Sequence, residues 1–290
     1  MKQNAKNFEK SALASASLLG VELVEIPKWN CCGAVSSLTA DDVMHHVAPI
    51  RNLVRVQQMN DDGVVNNEYR LVALCSMCFN VLKRSNLRVI NDGEMLRKVN
   101  DFMDTEPDYE GTVEVVHFLE ILRDVIGFDK VREKVKKPLN GLKVSAYYGC
   151  TLLRPKEVGI DDAESPTIME ELIKALGGEV ADNPYKSLCC GSYHTVGGNK
   201  EIVAERAYKI INGARRNGAD LLITSCPLCA FNLDNRQELT KRMHPEFEKM
   251  PVLYFTQLMS LAFGKEKEAG FDDNFVDPRP LLKERGLLEK

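Results

Sequence analysis

The sequence predicts an α/β fold made of two similar halves, each a small parallel sheet with flanking helices. Short apolar runs alternate with helical patterns along the chain, which is typical of parallel sheets with crossover helices. Two of these runs, residues 71–74 and 221–224, are apolar at nearly every position and suit strands that are buried on both faces. A length of 290 residues is also enough for two domains.

Five landmarks recur in the same order in both halves. Each half has a helix that ends near a glycine and leads into a short strand, at residues 14–24 and 169–180. A Cys-Cys-Gly triplet, one of the apolar runs and a Cys-x-x-Cys motif that opens a helix come next. A second apolar run closes each set, at residues 115–119 and 252–256. The repeated order predicts an internal duplication.

The repeat predicts an N-terminal domain at residues 1–129 and a C-terminal domain at residues 142–263. Residues 130–141 between them are basic and end in Pro and Asn-Gly, a composition typical of a linker or turn. Residues 264–290 are rich in charge and proline, and we interpret them as an irregular tail that packs on its own domain or on a partner protein.

Composition excludes several classes of function. The net charge is −4 and no basic stripe suits a phosphate backbone, so nucleic-acid binding is not expected. No apolar run approaches membrane-spanning length and the N-terminus lacks the apolar core of a signal peptide, so we predict a cytoplasmic protein without a membrane span. Walker A, GxGxxG and HExxH motifs are also missing from the sequence, and nucleotide or flavin binding is not indicated.

The cysteines have the spacing of ligands for iron–sulfur clusters. In a reducing compartment nine cysteines, an odd number, indicate metal or redox chemistry rather than disulfides. Three of them follow predicted strands, at the sheet edge where ligands of parallel sheets gather: Cys75, Cys150 and Cys226. A Cys-x-x-Cys at a strand-to-helix turn directs two sulfurs at one point, and the free amides of the first helical turn stabilise the thiolates.

Adjacent cysteines lead to a further inference about the kind of metal site. Neighbouring side chains diverge, so a Cys-Cys pair suits a body with several irons better than a single ion. The second half holds five thiols, which exceeds the four of a tetrahedral zinc site or an ordinary cubane. Those five are Cys150, Cys189, Cys190, Cys226 and Cys229, and the first half holds Cys31, Cys32, Cys75 and Cys78.

This ordered cysteine pattern resembles the cysteine-rich "CCG" domain. Two such domains in one chain resemble the B-type iron–sulfur component of the CoB–CoM heterodisulfide reductase family and its bacterial homologues. The likeness covers essentially the whole chain, and local phrases match at residues 29–34 (WNCCGA), 148–150 (YGC), 225–229 (SCPLC) and 276–282 (VDPRPLL). Related CCG proteins include the E-type subunit of succinate dehydrogenases. The fold implied is a pair of pseudo-symmetric CCG domains.

The resemblance implies a function, cofactors and partners. Each domain would hold a noncubane 4Fe-4S cluster on its cysteines, and the chain would be the catalytic subunit that reductively cleaves a disulfide lying between the clusters. Electrons would arrive one at a time from a C-type subunit with cubane 4Fe-4S clusters, which connects to an A-type flavin subunit. We expect no side chain as nucleophile. His194 and Lys28 are candidate proton donors because they lie near Cys190 and Cys31 in sequence.

The first half departs from the family pattern because it has no counterpart of Cys150. We expect a misassigned start codon, a truncated gene or a four-thiol first site, which could hold zinc or a cubane on Cys31, Cys32, Cys75 and Cys78. The alternative function is therefore a non-catalytic electron-transfer or scaffold subunit with a degraded or zinc-occupied N-terminal site. A simple zinc-binding structural protein is a third hypothesis, against which the Cys-Cys-Gly triplets weigh.

Overall fold

The computed structural model describes residues 4–34, 43–65 and 69–289. The chain packs as two compact units, one formed by Leu23–Glu120 and the other by Met1–Glu22 together with Ile121–Lys290. None of the helices in these described ranges combines the length and apolar character that crossing a membrane requires.

The regular elements alternate between helices and short strands, as the sequence predicts. The α-helices are α1 (Lys6–Leu18), α2 (Val43–Asp61), α3 (Ser76–Ile90), α4 (Gly93–Phe102), α5 (Phe118–Glu120), α6 (Phe128–Glu133), α7 (Ile168–Ala175), α8 (Ser192–Val196), α9 (Lys200–Arg216), α10 (Pro227–Ala230), α11 (Gln237–Met243), α12 (Phe255–Ala262), α13 (Glu266–Ala269) and α14 (Arg279–Glu284). The strands are β1 (Arg70–Ala73), β2 (Glu114–His117), β3 (Lys143–Tyr147), β4 (Glu179–Val180), β5 (Leu221–Thr224) and β6 (Val252–Tyr254). Two π-helical segments, Ile121–Ile126 and Phe231–Asn235, and a 3₁₀ turn, Phe271–Asp273, complete the set.

The unit Leu23–Glu120 is built on a two-stranded parallel sheet of β1 and β2. Helix α3 packs against both strands, and α2 packs against α3 and α4. The buried ring of His117 closes the end of this sheet. Its Nε2 donates to the carbonyl of Leu74 at 2.8 Å, and its Nδ1 accepts from the amide of Leu119 at 3.2 Å. The ring is therefore neutral and fixes the strand end that precedes the first Cys-x-x-Cys motif.

The second unit is built on a four-stranded parallel sheet with strand order β4-β3-β5-β6. Every residue of β5 is buried, which explains why its sequence is apolar almost throughout. Helix α7 packs on β3, and α12 packs on β5 and β6. The carboxyl ends of β3 and β5 lead directly into cysteine-bearing turns, so the sheet delivers thiols to one edge.

Both sheets share one register at the point where the cysteines begin. Ala73 pairs with His117 in the first sheet, and Thr224 pairs with Tyr254 in the second. The first cysteine of each Cys-x-x-Cys motif lies two residues beyond the paired residue. This common geometry confirms two α/β repeats with small parallel sheets.

The helix that follows each final strand is also capped in the same way. The amide of His117 donates to Glu120 Oε2 at 2.7 Å, and the amide of Tyr254 donates to Gln257 Oε1 at 2.9 Å. In both halves the acceptor is the side chain three residues along, which satisfies a free amide at the helix start.

Helix α1 packs with the C-terminal residues, although the sequence division places it in the domain at 1–129. The ring of Phe8 stacks on Tyr254 with centroids 4.2 Å apart, and Ser11 exchanges a hydrogen bond with Thr256 at 2.7 Å. An apolar face predicts that a helix is buried but does not name its partner. The boundaries at 129, 142 and 263 describe the sequence repeat and stay a prediction.

The short strand expected near residues 21–24 is not formed, and this correction has a physical reason. Its counterpart β4 exists because Lys143 and Val144 of β3 pair with it. Within the described part of the unit Leu23–Glu120, only β1 and β2 form a sheet, so residues 21–24 meet no such partner strand. A strand that pairs with nothing leaves its backbone groups to water or to turns.

The predicted linker at residues 130–141 and the tail at residues 264–290 both pack within the unit that contains Ile121–Lys290. The amides of Lys136 and Lys137 donate to the carbonyl of Ala262 at 2.9 Å. The tail is held by Asp234, whose carboxylate accepts the amides of Phe275 and Val276 at 2.7 and 2.9 Å.

Candidate functional site

Five thiols gather at the carboxyl end of the four-stranded sheet. They form a chain of side-chain contacts that runs in the order Cys150, Cys189, Cys190, Cys229 and Cys226. None of them is in a disulfide, and the last three of this chain are buried. Segments more than seventy residues apart in sequence thus contribute to one sulfur-rich centre.

A glycine makes room for this centre at the end of β3. Gly149 has φ of +67°, a left-handed conformation that side chains rarely adopt. A Cβ at this position would lie 3.3 Å from Cys229 Sγ and 3.6 Å from Tyr147 Cε1. The turn that presents Cys150 therefore requires glycine for both its conformation and its space.

Hydrogen bonds hold the loop before the Cys-Cys pair against the end of β3. The hydroxyl of Tyr147 donates to the carbonyl of Leu188 at 2.6 Å. The amides of Tyr148 and Gly149 both donate to the carbonyl of Lys186, at 2.9 and 3.1 Å. These three bonds fix the two cysteine-bearing segments relative to each other.

A largely buried ionic group supports the same junction. Lys186 Nζ lies 2.8 Å from Glu170 Oε1, and their side chains are 19% and 12% exposed. The hydroxyl of Tyr148 donates to the same carboxylate. Burial, together with the neighbouring negative charge of Glu170, raises the pKa of Tyr148 well above its usual range. The tyrosine consequently stays a hydrogen-bond donor.

The thiols differ in their tendency to ionise. Hydrogen bonds from Cys150, from Cys190 and from the amides of Gly191 and Ser192 hold the pKa of Cys189 far below its usual range. The Gly191 amide lies 3.4 Å from Cys189 Sγ. By contrast, the contact between Cys190 and Cys189 raises the pKa of Cys190 to about 12, and burial adds to the rise.

The neighbouring sulfurs also suppress the ionisation of two other thiols in the chain, Cys150 and Cys229. The contact with Cys189 is the largest cause that raises the pKa of Cys150, and the contact with Cys190 is the largest for Cys229. Five thiolates cannot coexist in so small a buried volume without cations to neutralise them. The donor set is therefore suited to a positively charged metal body.

The arrangement also bears on the kind of metal body that fits. The sulfurs follow one another in a chain, and within the described residues no group of three or more His, Cys, Asp or Glu side chains is arranged to hold a metal ion. Soft thiolates are the ligands of iron–sulfur clusters and zinc. The five clustered thiols are a soft donor set of this kind.

A small cavity of about 110 Å³ opens beside one end of the sulfur chain. Its lining residues are Cys189, Gly191, Tyr193, His194 and Arg206. The cavity thus joins the thiol with the lowered pKa to His194, a candidate proton donor from the sequence. Arg206 was missed, because it lies on α9 and no motif marks it. Its stem packs over the Cys-Cys-Gly turn, where a Cβ on Gly191 would lie 3.7 Å from Arg206 Cγ.

The first-half cysteines lie in the unit Leu23–Glu120. Cys32 Sγ and Cys78 Sγ are 3.2 Å apart, and this contact is the largest cause that raises the pKa of Cys32. Cys75 is buried at the residue that precedes α3, and Cys31 is exposed. Lys28 is exposed in the preceding loop, with φ of 53°.

Comparison with known proteins decides the family. The family model of the CCG cysteine-rich domain matches residues 1–83 and 144–234. The chain belongs to the CCG cysteine-rich domain family. The two matched segments of this CCG protein contain all nine cysteines.

Curated relatives extend the likeness over nearly the full chain. The 8-methylmenaquinol:fumarate reductase membrane anchor subunit of Wolinella succinogenes is 35% identical, over 97% of this chain and 95% of that protein. Two proteins named as the B-type component of a CoB-CoM heterodisulfide reductase are 29% identical in Methanosarcina acetivorans and 28% in Methanosarcina mazei, each over 93% of this chain and 88% of the relative. These relatives support an iron–sulfur role in a multisubunit redox enzyme.

A solved structure shares the fold. A hypothetical protein from Helicobacter pylori aligns over 93% of this chain with a TM-score of 0.71 at 14% sequence identity. The CCG protein spans 49% of that chain, about half of its length. At this identity the likeness shows the architecture alone.

Proposed function

We propose that this CCG protein is the catalytic iron–sulfur subunit of a heterodisulfide reductase-like complex and that it reductively cleaves a disulfide. The observation that carries the proposal is the chain of five contacting thiols at the end of the four-stranded sheet. Family membership and the relatives named as B-type components of heterodisulfide reductase support it.

The cofactors would be two noncubane 4Fe-4S clusters. The C-terminal one would be held by Cys150, Cys189, Cys190, Cys226 and Cys229, and the N-terminal one by Cys31, Cys32, Cys75 and Cys78. Such a cluster, when bound, supplies electrons one at a time to a disulfide. The clustered thiols fit this assignment because the pKa values of Cys150, Cys190 and Cys229 are raised in the absence of a cation, and the positive charge of a metal body would favour the thiolates.

Side chains of the cavity would handle the protons and the charge. Reduction of RSSR′ to RSH and R′SH breaks one S–S bond and consumes two electrons and two protons. His194 shares the cavity with Cys189 and would give a proton to a departing thiolate. Arg206, which also lines the cavity, would stabilise the negative charge before the proton arrives. Lys28 would be the donor for the N-terminal site.

The electrons would come from partner proteins. A C-type subunit with cubane 4Fe-4S clusters would deliver them, and an A-type flavin subunit would load the C-type subunit. We propose a cytoplasmic location because nine cysteines stay reduced as thiols in a reducing compartment.

Anaerobic purification with metal analysis tests the proposal. We expect a brown protein with roughly four irons per intact site. This protein should oxidise a reduced viologen dye when a disulfide is added. Cys229→Ser should abolish the electron paramagnetic resonance signal of the C-terminal site, and Cys78→Ser should remove only the signal of the N-terminal site. Bound zinc without iron, or iron without any disulfide-dependent oxidation, would contradict the proposal.

A second candidate function follows from the 35% identity to the quinol:fumarate reductase subunit. The chain could be a non-catalytic electron-transfer or scaffold subunit of a quinol-linked complex, with a degraded or zinc-occupied N-terminal site. Two measurements separate the candidates. The first is the iron content, which for this second function should correspond to one cluster per chain. The second is oxidation of the reduced protein, which a quinone should cause and a disulfide should not.

A further inference from the structure

The C-terminal sulfur chain receives a hydrogen bond from a side chain that is not a cysteine. Asn232 Nδ2 lies 3.3 Å from Cys190 Sγ and 3.4 Å from the Cys190 carbonyl oxygen. The asparagine is completely buried. Its other end is satisfied as well, because Asn232 Oδ1 accepts from the hydroxyl of Thr195 at 2.7 Å.

Thr195 fixes the direction of the amide. A rotated amide would turn Oδ1 toward Cys190 Sγ, and a thiolate has no proton to donate to it. The hydroxyl of Thr195 lies 2.7 Å from Oδ1, much nearer than its alternative acceptor, the Gly191 carbonyl oxygen at 3.5 Å. It donates to Oδ1, and the sulfur and the carbonyl oxygen of Cys190 accept from the NH₂ group on the other side.

Asn232 lies on a distorted helix. It lies three residues after Cys229, in the π-helical segment Phe231–Asn235, and π-helical turns are frequent at functional sites. A Phe-Asn pair also follows the first Cys-x-x-Cys motif, one residue closer to it, and its Asn80 is buried in the regular helix α3. The second repeat thus has one additional residue between its motif and its asparagine.

We propose that Asn232, oriented by Thr195, is a positioning residue that raises the reduction potential of the C-terminal iron–sulfur site through its hydrogen bond to Cys190. The inference rests on the proposed iron–sulfur function. A donor aimed at a ligating sulfur stabilises the reduced, more negative state of the site over the oxidised state. Its removal lowers the potential without removing a metal ligand.

The test is a redox titration of the reconstituted full-length chain, followed by electron paramagnetic resonance. The signal lost in Cys229→Ser identifies the C-terminal site. Asn232→Val removes the donor and introduces an apolar side chain in its place. We expect unchanged iron content with an equilibrium about tenfold less favourable to reduction, which for one electron is a potential lower by about 59 mV. The potential of the N-terminal site should stay the same in this variant.

Two variants of Thr195 keep the proposal falsifiable if Asn232→Val loses iron. Thr195→Val removes the hydroxyl and should lower the C-terminal potential, whereas Thr195→Ser retains the hydroxyl and should restore it. Equal potentials in wild type, Thr195→Val and any iron-loaded Asn232→Val would overturn the inference alone. A wild-type protein that binds no iron would overturn the proposed function with it.

Discussion

The substitution Gly149→Ala tests the geometry that joins the sheet to the sulfur chain. The left-handed backbone at Gly149 costs a residue with a Cβ about 1 to 2 kcal/mol. The new methyl group would also lie 3.3 Å from Cys229 Sγ, with the buried Tyr147 ring behind it. Overpacking of this kind costs about 1 to 3 kcal/mol. The total is therefore about 2 to 5 kcal/mol, together with a displaced thiol.

Gly218→Ala is the matched control. Gly218 has φ of +82° in the same unit, but the nearest atom to its added Cβ is Lys143 Cδ at 3.9 Å. The control carries the backbone cost without the contact. Urea unfolding and iron content of the two variants isolate the effect on the site, and we expect only Gly149→Ala to lose C-terminal iron. Equal stability and equal iron content in both variants would refute the steric argument.

Three further perturbations address the buried charges and the cavity. Burial raises the pKa of Asp234 to about 6. As the pH rises from about 5 to about 7.5, the unfolding free energy of wild type should therefore fall by about 1.4 kcal/mol relative to that of Asp234→Asn. A difference between the two proteins in thermal melts that does not change with pH would contradict this. His194→Gln should slow disulfide reduction by about 100-fold at full iron content, and intact turnover would remove the histidine from the mechanism. Glu170→Gln leaves Lys186 without its buried partner and should cost about 3 kcal/mol, whereas Glu248→Gln at an exposed ion pair should change the melting temperature little.

The sequence predicted the elements that place the thiols because strong local signals mark them. The apolar run at 221–224 could only be a buried strand, and Cys226 follows it directly. The run that ends at Tyr147 likewise presents Cys150 after one glycine turn. Carboxyl ends of neighbouring parallel strands share an edge, so convergence of these thiols followed from topology.

Other features depend on contacts that no local pattern encodes. The apolar face of α1 could not reveal that Phe8 stacks on Tyr254, which lies 246 residues further along the chain. Asn232 and Arg206 approach the Cys-Cys-Gly turn from separate helices. Their side chains are ordinary for helices, and only the folded arrangement shows that one faces a sulfur and the other a cavity.

The two repeats share a scaffold but differ in the charge around their sulfurs. In this sequence the second repeat has five thiols and the first has four. An additional thiolate makes a cluster more negative and lowers its reduction potential. The amide of Asn232 counteracts this without adding a charge, and Thr195 satisfies its remaining acceptor so that burial costs little. In the proposed function a disulfide takes one electron from each of two sites, which is easiest when the reduction potentials of the two sites are close. On that proposal Asn232 offsets the additional negative charge of the fifth thiol in the second repeat.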